Sequence, residues 1–509
     1  MKVRRKISTF ILSHLGTFTH YHITTFLPSH FYTFLLSYFP SNKIYFTTFA
    51  ASHKILFPKM NIENGSNDTD VLLLRKKLDL LLRTGKLLME SGANSNRIER
   101  NLKRVAAFLG IPEDKLHLDI RWTMLIVNVS DMSHSFSKFQ KCEKHHINMT
   151  TITRISHLSW EAIENDFTLE AYEEELNNIA STPKNYSHYM IAIGAGFACG
   201  GFCKLFGGDW FAFLFTSICA CIGLHTRAVC VEKGLNTYFS VALAAFISTC
   251  LAYATTYTGL STTPYHPLLA CALFIIPGVP LINFIDDLID NHLLLGITRS
   301  ANIFMIISAM TFGISFALSI FSITDINIDE IFSTLSIVGI DSYFVYIVAA
   351  AIAAIGFSMI FNIPKRLLWV VGIGGIITVC TRNFISIELG LGPVIGSFTG
   401  ALCVSLLART IENKLNVPTT VLTIPSVIPM IPGVLMYRSL LGFASMQGVV
   451  GELTYACYSG ITAALIVVCI SLGVALPNII ARGYGAKNRK DLLDKKLEER
   501  RARGNFIEW

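Results

Sequence analysis

The sequence predicts an α-helical polytopic membrane protein with about ten transmembrane helices, an inverted five-plus-five repeat, and a small N-terminal α+β cytoplasmic domain. Of its 509 residues, 52% are hydrophobic and only 15% are charged, and the mean hydropathy is +0.50. These values are typical of chains with many membrane spans. After Pro183, apolar segments of about 17–25 residues, the length that crosses a bilayer, follow one another with short polar loops between them.

The charge of the chain lies at its beginning. The formal net charge of +7 equals the seven Lys and Arg of residues 1–59, which contain no Asp or Glu. The remainder is neutral overall, which argues against nucleic-acid binding. Residues 1–59 lack an apolar run long enough to span, and Met60 opens a polar segment like an ordinary protein start. We expect residues 1–69 to be a poorly structured or mistranslated extension, with a targeting peptide as the alternative.

Residues 70–183 have the composition of a cytoplasmic α+β domain. A helix is predicted over 71–90, ended by Ser91-Gly92-Ala93, and a basic helix follows, with Asn96 and Glu99 as its capping pair and Gly110 at its end. Two β-rich runs, 116–129 and 146–155, predict a hairpin, and a last helix is predicted over 169–180. Because most of the twelve cysteines lie in apolar runs, we expect packed, reduced thiols, no metal site and no cofactor.

The membrane spans divide into two predicted halves of five, 184–325 and 326–480, followed by a basic cytoplasmic tail, 481–509. An odd number of spans per half requires the second half to enter from the opposite side, which gives an inverted repeat. Lys and Arg predominate in the loops on the side of the soluble domain, so both termini are expected in the cytoplasm. The predicted spans are 188–206, 209–226, 235–256, 265–285, 301–321, 343–361, 366–382, 384–408, 418–437 and 454–476.

Two spans are interrupted by Pro-Gly pairs placed 155 residues apart, at Pro277-Gly278 and Pro432-Gly433. A break inside a membrane is tolerated only where protein or a water-filled cavity surrounds it, so paired breaks favour a substrate site over two ordinary kinks. Helix N-termini suit a carboxylate and exposed carbonyls suit an ammonium group. The predicted substrate-binding residues are Pro277, Gly278, Pro280, Asn283, Thr420, Thr423, Ser426, Pro432 and Gly433. The alternative for the hydroxyls and the amide is back-bonding within their own helices.

A buried carboxylate can carry a proton in exchange for substrate, because desolvation favours its neutral form. Few carboxylates lie near the spans, and Asp287, which follows the first break, is the first candidate, with Glu388 and Glu452 next. The alternative also stays open, in which Asp286, Asp287 and Asp290 lie in a cytoplasmic loop and cap the following helix.

Three stretches together resemble the threonine/serine exporter family: LLLRTGKLLMESGANSNRIERNLKRVAAFLG, PGVPLINFIDDLIDNHLLLGITR and IPSVIPMIPGVLMYRSL. The resemblance implies a cytoplasmic domain fused to ten spans in an inner or plasma membrane, and proton-driven export of threonine and serine, or of small dicarboxylates such as succinate. Its partners would be that substrate, protons and lipid, with a homo-oligomer left open. Asn291-His292 departs from the family, where glycine follows the carboxylate. The family-like positions are Glu90, Ser91, Gly92, Pro277, Gly278, Pro280, Asn283, Asp287, Leu288, Gly296, Arg299, Pro432, Gly433 and Arg438.

A membrane-anchored enzyme is the second alternative. Ser91 or Cys142 would be its nucleophile, with His117, His134 or His157 as base. The chain contains no G-x-S-x-G or H-E-x-x-H motif. An anchor needs one or two spans rather than ten, so the sequence favours a transporter.

Overall fold

The computed structural model describes residues 65–130, 135–322, 342–444 and 450–502. The chain separates into two compact units, Met1–Asp70 and Val71–Trp509. Of the first unit only residues 65–70 are described, and they are helical. The first helix begins at Gly65, and the rest of the predicted extension, residues 1–64, lies outside the described part of the chain.

The N-terminal α+β region, residues 71–181, has four helices and one sheet. The sheet is antiparallel, with strand order β1-β2-β3. On β2 the apolar residues Leu125, Val127 and Val129 are fully buried, as the alternation of a half-buried strand requires. The elements are α1 (Gly65–Glu90), α2 (Ser95–Phe108), β1 (Leu116–Ile120), β2 (Met124–Ser130), β3 (Ser135–Lys141), α3 (Met149–Glu164) and α4 (Leu169–Ser181).

Two local predictions in this region were wrong. The run 146–155 begins α3, because Asn148 caps the helix by accepting a hydrogen bond from the Thr151 amide, and this cap outweighs the β-branched residues that favoured a strand. The sheet instead takes β3 as its edge strand, which is mostly polar and so lacks a clear apolar alternation. Helix α2 is capped by Asn94 rather than by Asn96. Gly92 and Gly110 have left-handed φ values of 82° and 77° where α1 and α2 end.

After the α+β region the described part of the chain is helical, and an observed helix or broken pair overlaps each predicted span. Seven described helices are long and apolar enough to cross a membrane, or up to nine if each of two bent pairs counts as one span. The first half contains α5 (His188–Leu205), α6 (Trp210–Glu232), α7 (Thr237–Thr256), α8 (His266–Ala270), α9 (Gly278–Ile289) and α10 (Leu293–Ser322). The second contains α11 (Tyr343–Ile360), α12 (Leu368–Asn383), α13 (Gly392–Leu415), α14 (Thr419–Val427), α15 (Gly433–Ala444) and α16 (Val450–Ala502). Helix α16 has 53 residues, about 80 Å, so it extends well beyond a bilayer.

Helix α5 is not among these nine; it is rich in glycine and packs closely against α11. A Cβ on Gly201 would lie 2.8 Å from the Ala353 Cβ, and one on Gly356 would lie 2.5 Å from the Ala198 amide nitrogen. Near its beginning α5 meets the end of α11, since a Cβ on Gly194 would lie 2.9 Å from the Met359 Cβ. The two helices therefore run antiparallel with their backbones in contact.

A constant spacing of 155 residues relates the two halves. Helices α5 and α11 have 18 residues each and begin at His188 and Tyr343, and α9 and α15 have 12 each and begin at Gly278 and Gly433. The short 3-10 helices before the breaks, Leu273–Ile275 and Ile428–Met430, keep the same spacing.

Candidate functional site

Both breaks have the same local geometry. The amide of Gly278 donates to the Ile276 carbonyl at 2.8 Å, and that of Gly433 donates to the Ile431 carbonyl at 2.8 Å. The intervening proline closes a tight three-residue turn and provides no amide hydrogen. The helix axes bend by 57° and 52° at the two breaks.

The two breaks pack directly against each other. A Cβ on Gly278 would lie 2.4 Å from Ile428 Cδ1, and one on Gly433 would lie 1.9 Å from Ile276 Cδ1. The contacts are reciprocal under the 155-residue spacing, since Leu273 and Ile276 in one half correspond to Ile428 and Ile431 in the other. The glycines permit this approach, so in this structure isoleucine side chains fill the space between the breaks.

The predicted hydroxyl ligands lie along α14. Thr420 accepts a hydrogen bond at 2.8 Å from Arg97 of the α+β region. Ser426 donates to the Leu422 carbonyl at 2.7 Å, which is the back-bonded alternative for this residue. Thr423 is fully buried, and its Oγ1 has no hydrogen-bond partner among the described residues. Thr423 thus retains a polar atom for a ligand or a water molecule.

Asp286 and Asp287 lie within the last two turns of α9, so the prediction that they occupy a loop and cap the following helix was wrong. The Asp287 carboxylate is fully buried, and its Oδ2 lies 2.9 Å from Nη1 of Arg299 on α10. Neither of those two atoms makes a well-aligned hydrogen bond in the described structure, so the attraction between them is electrostatic. Oδ1 of Asp287 accepts a hydrogen bond at 3.0 Å from the Ser95 amide, in the first turn of α2.

Residues 91–95, which link α1 to α2 and include Ser95, the first residue of α2, cover this ion pair; we call them the 91–95 connector. Asn283 donates through Nδ2 to the Gly92 carbonyl at 2.9 Å, and Arg299 donates through Nη2 to the Ala93 carbonyl at 3.4 Å. The Asn94 side chain donates through Nδ2 to Asp286 Oδ2 at 3.2 Å. We call the buried side chains of Asn283, Asp287 and Arg299 the carboxylate–arginine site.

The carboxylate–arginine site and the 91–95 connector bring together family-like positions that are about 190 residues apart in the chain. Sequence reasoning identified Gly92, Asn283, Asp287 and Arg299 separately but missed the Ser95 amide that joins them. It also missed Trp122, whose ring lies 5.6 Å from the Arg299 guanidinium carbon and stacks on His145. The polar run Asn94–Asn96 beside the family-like Gly92 was the available signal.

Further contacts join the α+β region to the C-terminal ends of α11, α13 and α16. The amide of Met149 donates to the Phe361 carbonyl at 3.0 Å, just after α11. The His157 ring lies 2.6 Å from the Asn416 carbonyl, just after α13. Lys496, late in α16, pairs with Glu164 of α3. Under a ten-span alternation, all of these points lie on one side of the membrane.

A second ion pair joins α2 to the loop before α10. His292 Nε2 lies 3.5 Å from Glu99 Oε2. The hydrogen bond from His292 lowers the pKa of Glu99 to about 2, and the same contact raises the pKa of His292. The adjacent Asn291 is left-handed with φ 64°, a conformation that glycine adopts at no steric cost and asparagine tolerates. Asn291 thus stands where the resemblance implies glycine, and its backbone has a conformation that suits glycine.

The other candidate proton carriers lie elsewhere. Glu388 is exposed and lies beyond the C-terminal end of α12. The Tyr343 hydroxyl donates a hydrogen bond to its carboxylate at 3.3 Å. Glu452 lies in the first turn of α16, and its side chain is outside the described part of the structure. Among the three carboxylates, Asp287 is therefore the one whose side chain is observed to be buried.

Among the described residues proposed for an anchored enzyme, no hydrogen bond joins Ser91 or Cys142 to His117 or His157. Ser91 is buried, and burial raises the pKa of the Cys142 thiol to about 11. His157 bonds to a backbone carbonyl, and His134 lies outside the described residues. No group of three His, Cys, Asp or Glu side chains within the described ranges could hold a metal ion.

The apolar helices and the two bent pairs define a helical, multi-pass membrane protein. The chain belongs to the threonine/serine exporter family, whose two models match residues 79–321 and 346–480, the latter described as "Threonine/Serine exporter, ThrE". Along 84% of its length it is 21% identical to a probable threonine/serine exporter of Mycobacterium tuberculosis, covering 81% of that protein. Along 80% it is 20% identical to the threonine/serine exporter of Corynebacterium glutamicum, covering 82%. Along 48% it is 25% identical to a probable succinate transporter subunit of Escherichia coli, covering 94%. No solved structure matches the chain.

Proposed function

We propose that this protein is a secondary transporter that exports threonine and serine by proton antiport. The observation that carries the proposal is the buried Asp287–Arg299 ion pair beside a broken membrane helix. Buried charges are costly and add little stability when paired, so a pair inside a membrane protein points to a substrate or proton pathway. The names of the relatives that align along most of this chain support hydroxy amino acids as the substrates.

The membrane part is then ten spans in an inverted five-plus-five repeat. Three features support this arrangement: the constant spacing of 155 residues, the antiparallel packing of α5 on α11, and the reciprocal contacts between the breaks. Two antiparallel helices with reciprocal contacts are related by a two-fold axis perpendicular to both. If the helices span a membrane, that axis lies in its plane.

The α+β region and both termini would face the cytoplasm of the inner or plasma membrane. The excess of Lys and Arg in loops on that side supports this orientation. The contacts of the α+β region also support it, because they are made with helix ends that lie on one side of the membrane in a ten-span chain. Substrate would then enter from the side of the α+β region and leave at the opposite face.

Asp287 would couple export to protons, because one carboxylate cannot hold a proton and an ammonium group together. In the ionised form it would accept the substrate ammonium from the cytoplasmic side. A proton arriving from outside would neutralise it and release the substrate outward. Proton entry and amino-acid exit would alternate at one group, which is antiport.

Inside-out vesicles with an acidic interior test this proposal. They should accumulate labelled threonine and serine inside, and collapse of the pH gradient should abolish accumulation. Asp287→Asn should lose pH-driven accumulation, yet still exchange labelled for unlabelled threonine at higher concentrations, because an amide oxygen still accepts a hydrogen bond. Asp286→Asn is the matched control and should remain coupled, since Asp286 lies outside the Arg299 ion pair. Accumulation by Asp287→Asn equal to the parent would exclude Asp287 as the proton carrier.

Succinate is the second candidate substrate, since the chain aligns with nearly all of a protein named as a succinate transporter subunit. The same vesicles distinguish the two by competition. Threonine export that a large excess of succinate leaves unchanged supports the amino-acid assignment. Succinate accumulation without threonine accumulation would reverse it.

A further inference from the structure

The 91–95 connector offers a defined pattern of backbone groups to the carboxylate–arginine site. The Gly92 and Ala93 carbonyls accept hydrogen bonds from the Asn283 amide and the Arg299 guanidinium. The Ser95 amide donates to the Asp287 carboxylate. The connector therefore presents two carbonyl oxygens to the donor side chains of Asn283 and Arg299, and one N–H group to the acceptor side chain of Asp287.

A free α-amino acid has the same pattern. Its carboxylate provides two acceptor oxygens, and its ammonium group, one carbon away, provides donors. With the connector docked, Asn283, Asp287 and Arg299 are only 3%, 0% and 5% exposed, so a ligand that takes the connector's place would meet them where charged hydrogen bonds are strong. Oδ2 of Asp287 and Nη1 of Arg299 lack an aligned hydrogen bond in the described structure but lie 2.9 Å apart, so the ligand must replace their ion pair with one contact to each.

We propose that Asn283, Asp287 and Arg299 form the cytoplasmic binding site for a zwitterionic α-amino acid, and that the 91–95 connector occupies this site as an internal competitor. The inference rests on the transport function proposed above. Arg299 and Asn283 bind the substrate carboxylate, and Asp287 binds its ammonium group. Transport then requires the connector to leave, so the α+β region limits how readily substrate enters from its own side.

The site distinguishes amino acids from dicarboxylates. A dicarboxylate held by Arg299 and Asn283 brings its second carboxylate toward Asp287, where like charges repel with little water to screen them. Threonine meets a complementary charge at both ends. Ligands that lack the ammonium group, such as 3-hydroxybutyrate and succinate, should therefore bind far more weakly than threonine.

Ser95→Pro replaces the connector's N–H donor to Asp287 with a ring carbon that cannot lie against the carboxylate, because the amide nitrogen is only 3.0 Å from Oδ1. Ser95 is the first residue of α2, a position that proline favours, and Asn94 before it has the extended backbone, φ −76° and ψ 159°, that a residue preceding proline adopts. The substitution therefore keeps a backbone that suits the start of α2, deletes the amide hydrogen that bonds to Asp287, and pushes the connector away from the carboxylate. Ser95→Ala is the matched control, since it removes the hydroxyl and keeps the amide.

Equilibrium binding of labelled threonine to the purified full-length chain provides the measurement. Loss of a hydrogen bond to a charged group, together with the ring carbon placed against it, should weaken the connector at least about ten-fold and lower the apparent Kd for threonine by a similar factor, whereas Ser95→Ala should match the parent. Unchanged or weaker binding by Ser95→Pro, in a protein that exports threonine, overturns the inference alone. A parent chain that neither binds nor exports threonine overturns the proposed function as well.

A labelling experiment tests the competition without Ser95→Pro. Ala93 is 3% exposed in the docked connector. In a background whose native cysteines are replaced by alanine, Ala93→Cys should react several-fold faster with a maleimide when threonine is added, because the ligand displaces the connector. Succinate at the same concentration should leave the rate unchanged. A rate that threonine does not raise overturns the inference.

Discussion

The contact between the two breaks allows a test in which one methyl group is added and another is removed. In Gly433→Ala the new Cβ would lie 1.9 Å from Ile276 Cδ1 and 3.1 Å from Leu273 Cδ2. Carbon atoms in contact are normally about 3.5–4.0 Å apart, so the isoleucine must move by well over 1 Å. Since Leu273 and Ile428 are buried around it, little space is available.

Overpacking of this kind costs about 1–3 kcal/mol, which exceeds the gain of up to about 1 kcal/mol from replacing glycine in a helix. We therefore expect Gly433→Ala to lower the free energy of unfolding by about 1–2 kcal/mol. Ile276→Val removes the Cδ1 atom itself and alone costs about 0.5–1.5 kcal/mol. The double variant should be more stable than Gly433→Ala, a non-additive result that shows the contact.

Denaturation of the purified protein in detergent, followed by tryptophan fluorescence, gives these free energies, and threonine counterflow in vesicles gives the activity. The control is the other isoleucine: Ile428→Val removes the atom that faces Gly278, so it should rescue Gly278→Ala and leave Gly433→Ala unimproved. Rescue of Gly433→Ala by both valines alike, or no loss in Gly433→Ala, would refute the reciprocal packing.

Three further predictions address the α+β region and the topology. The His292–Glu99 pair should stabilise the docking of the α+β region by up to about 1 kcal/mol between pH 4.5 and 6.5. This stabilisation is lost as the pH rises above the raised pKa of His292, and it decreases below pH 4.5 as Glu99 becomes protonated. Limited proteolysis of the parent should therefore slow from pH 8 to pH 6, whereas that of His292→Gln should not. Because the pKa of the Cys142 thiol is about 11, its alkylation should remain slow at pH 8, and rapid modification there would contradict its burial. A cysteine introduced at Thr258 should react with an impermeant reagent in intact cells and one at Lys233 should not; the reverse pattern would overturn the orientation.

Hydropathy located the membrane helices because the bilayer imposes the same requirement on every span, namely about 20 apolar residues with their backbone bonded internally. That requirement is local, so it can be detected in a single sequence. Hydropathy also located α5, in which glycines allow close packing against α11. Local patterns were less reliable in the α+β region, where a single capping asparagine began a helix in the run 146–155 that had been predicted as a strand.

The sequence by itself determined the places where the membrane helices run, the two Pro-Gly breaks and their 155-residue spacing, and the family. These features depend on residue types at short range or on a direct repeat. Only the tertiary structure showed that the breaks pack against each other and that Asp287 lies in a helix, paired with Arg299 and covered by the Ser95 amide from 192 residues away. The reason is physical: the role of a carboxylate is decided by the charges and hydrogen-bond donors that surround it, and here those groups come from distant segments that meet only when the chain folds.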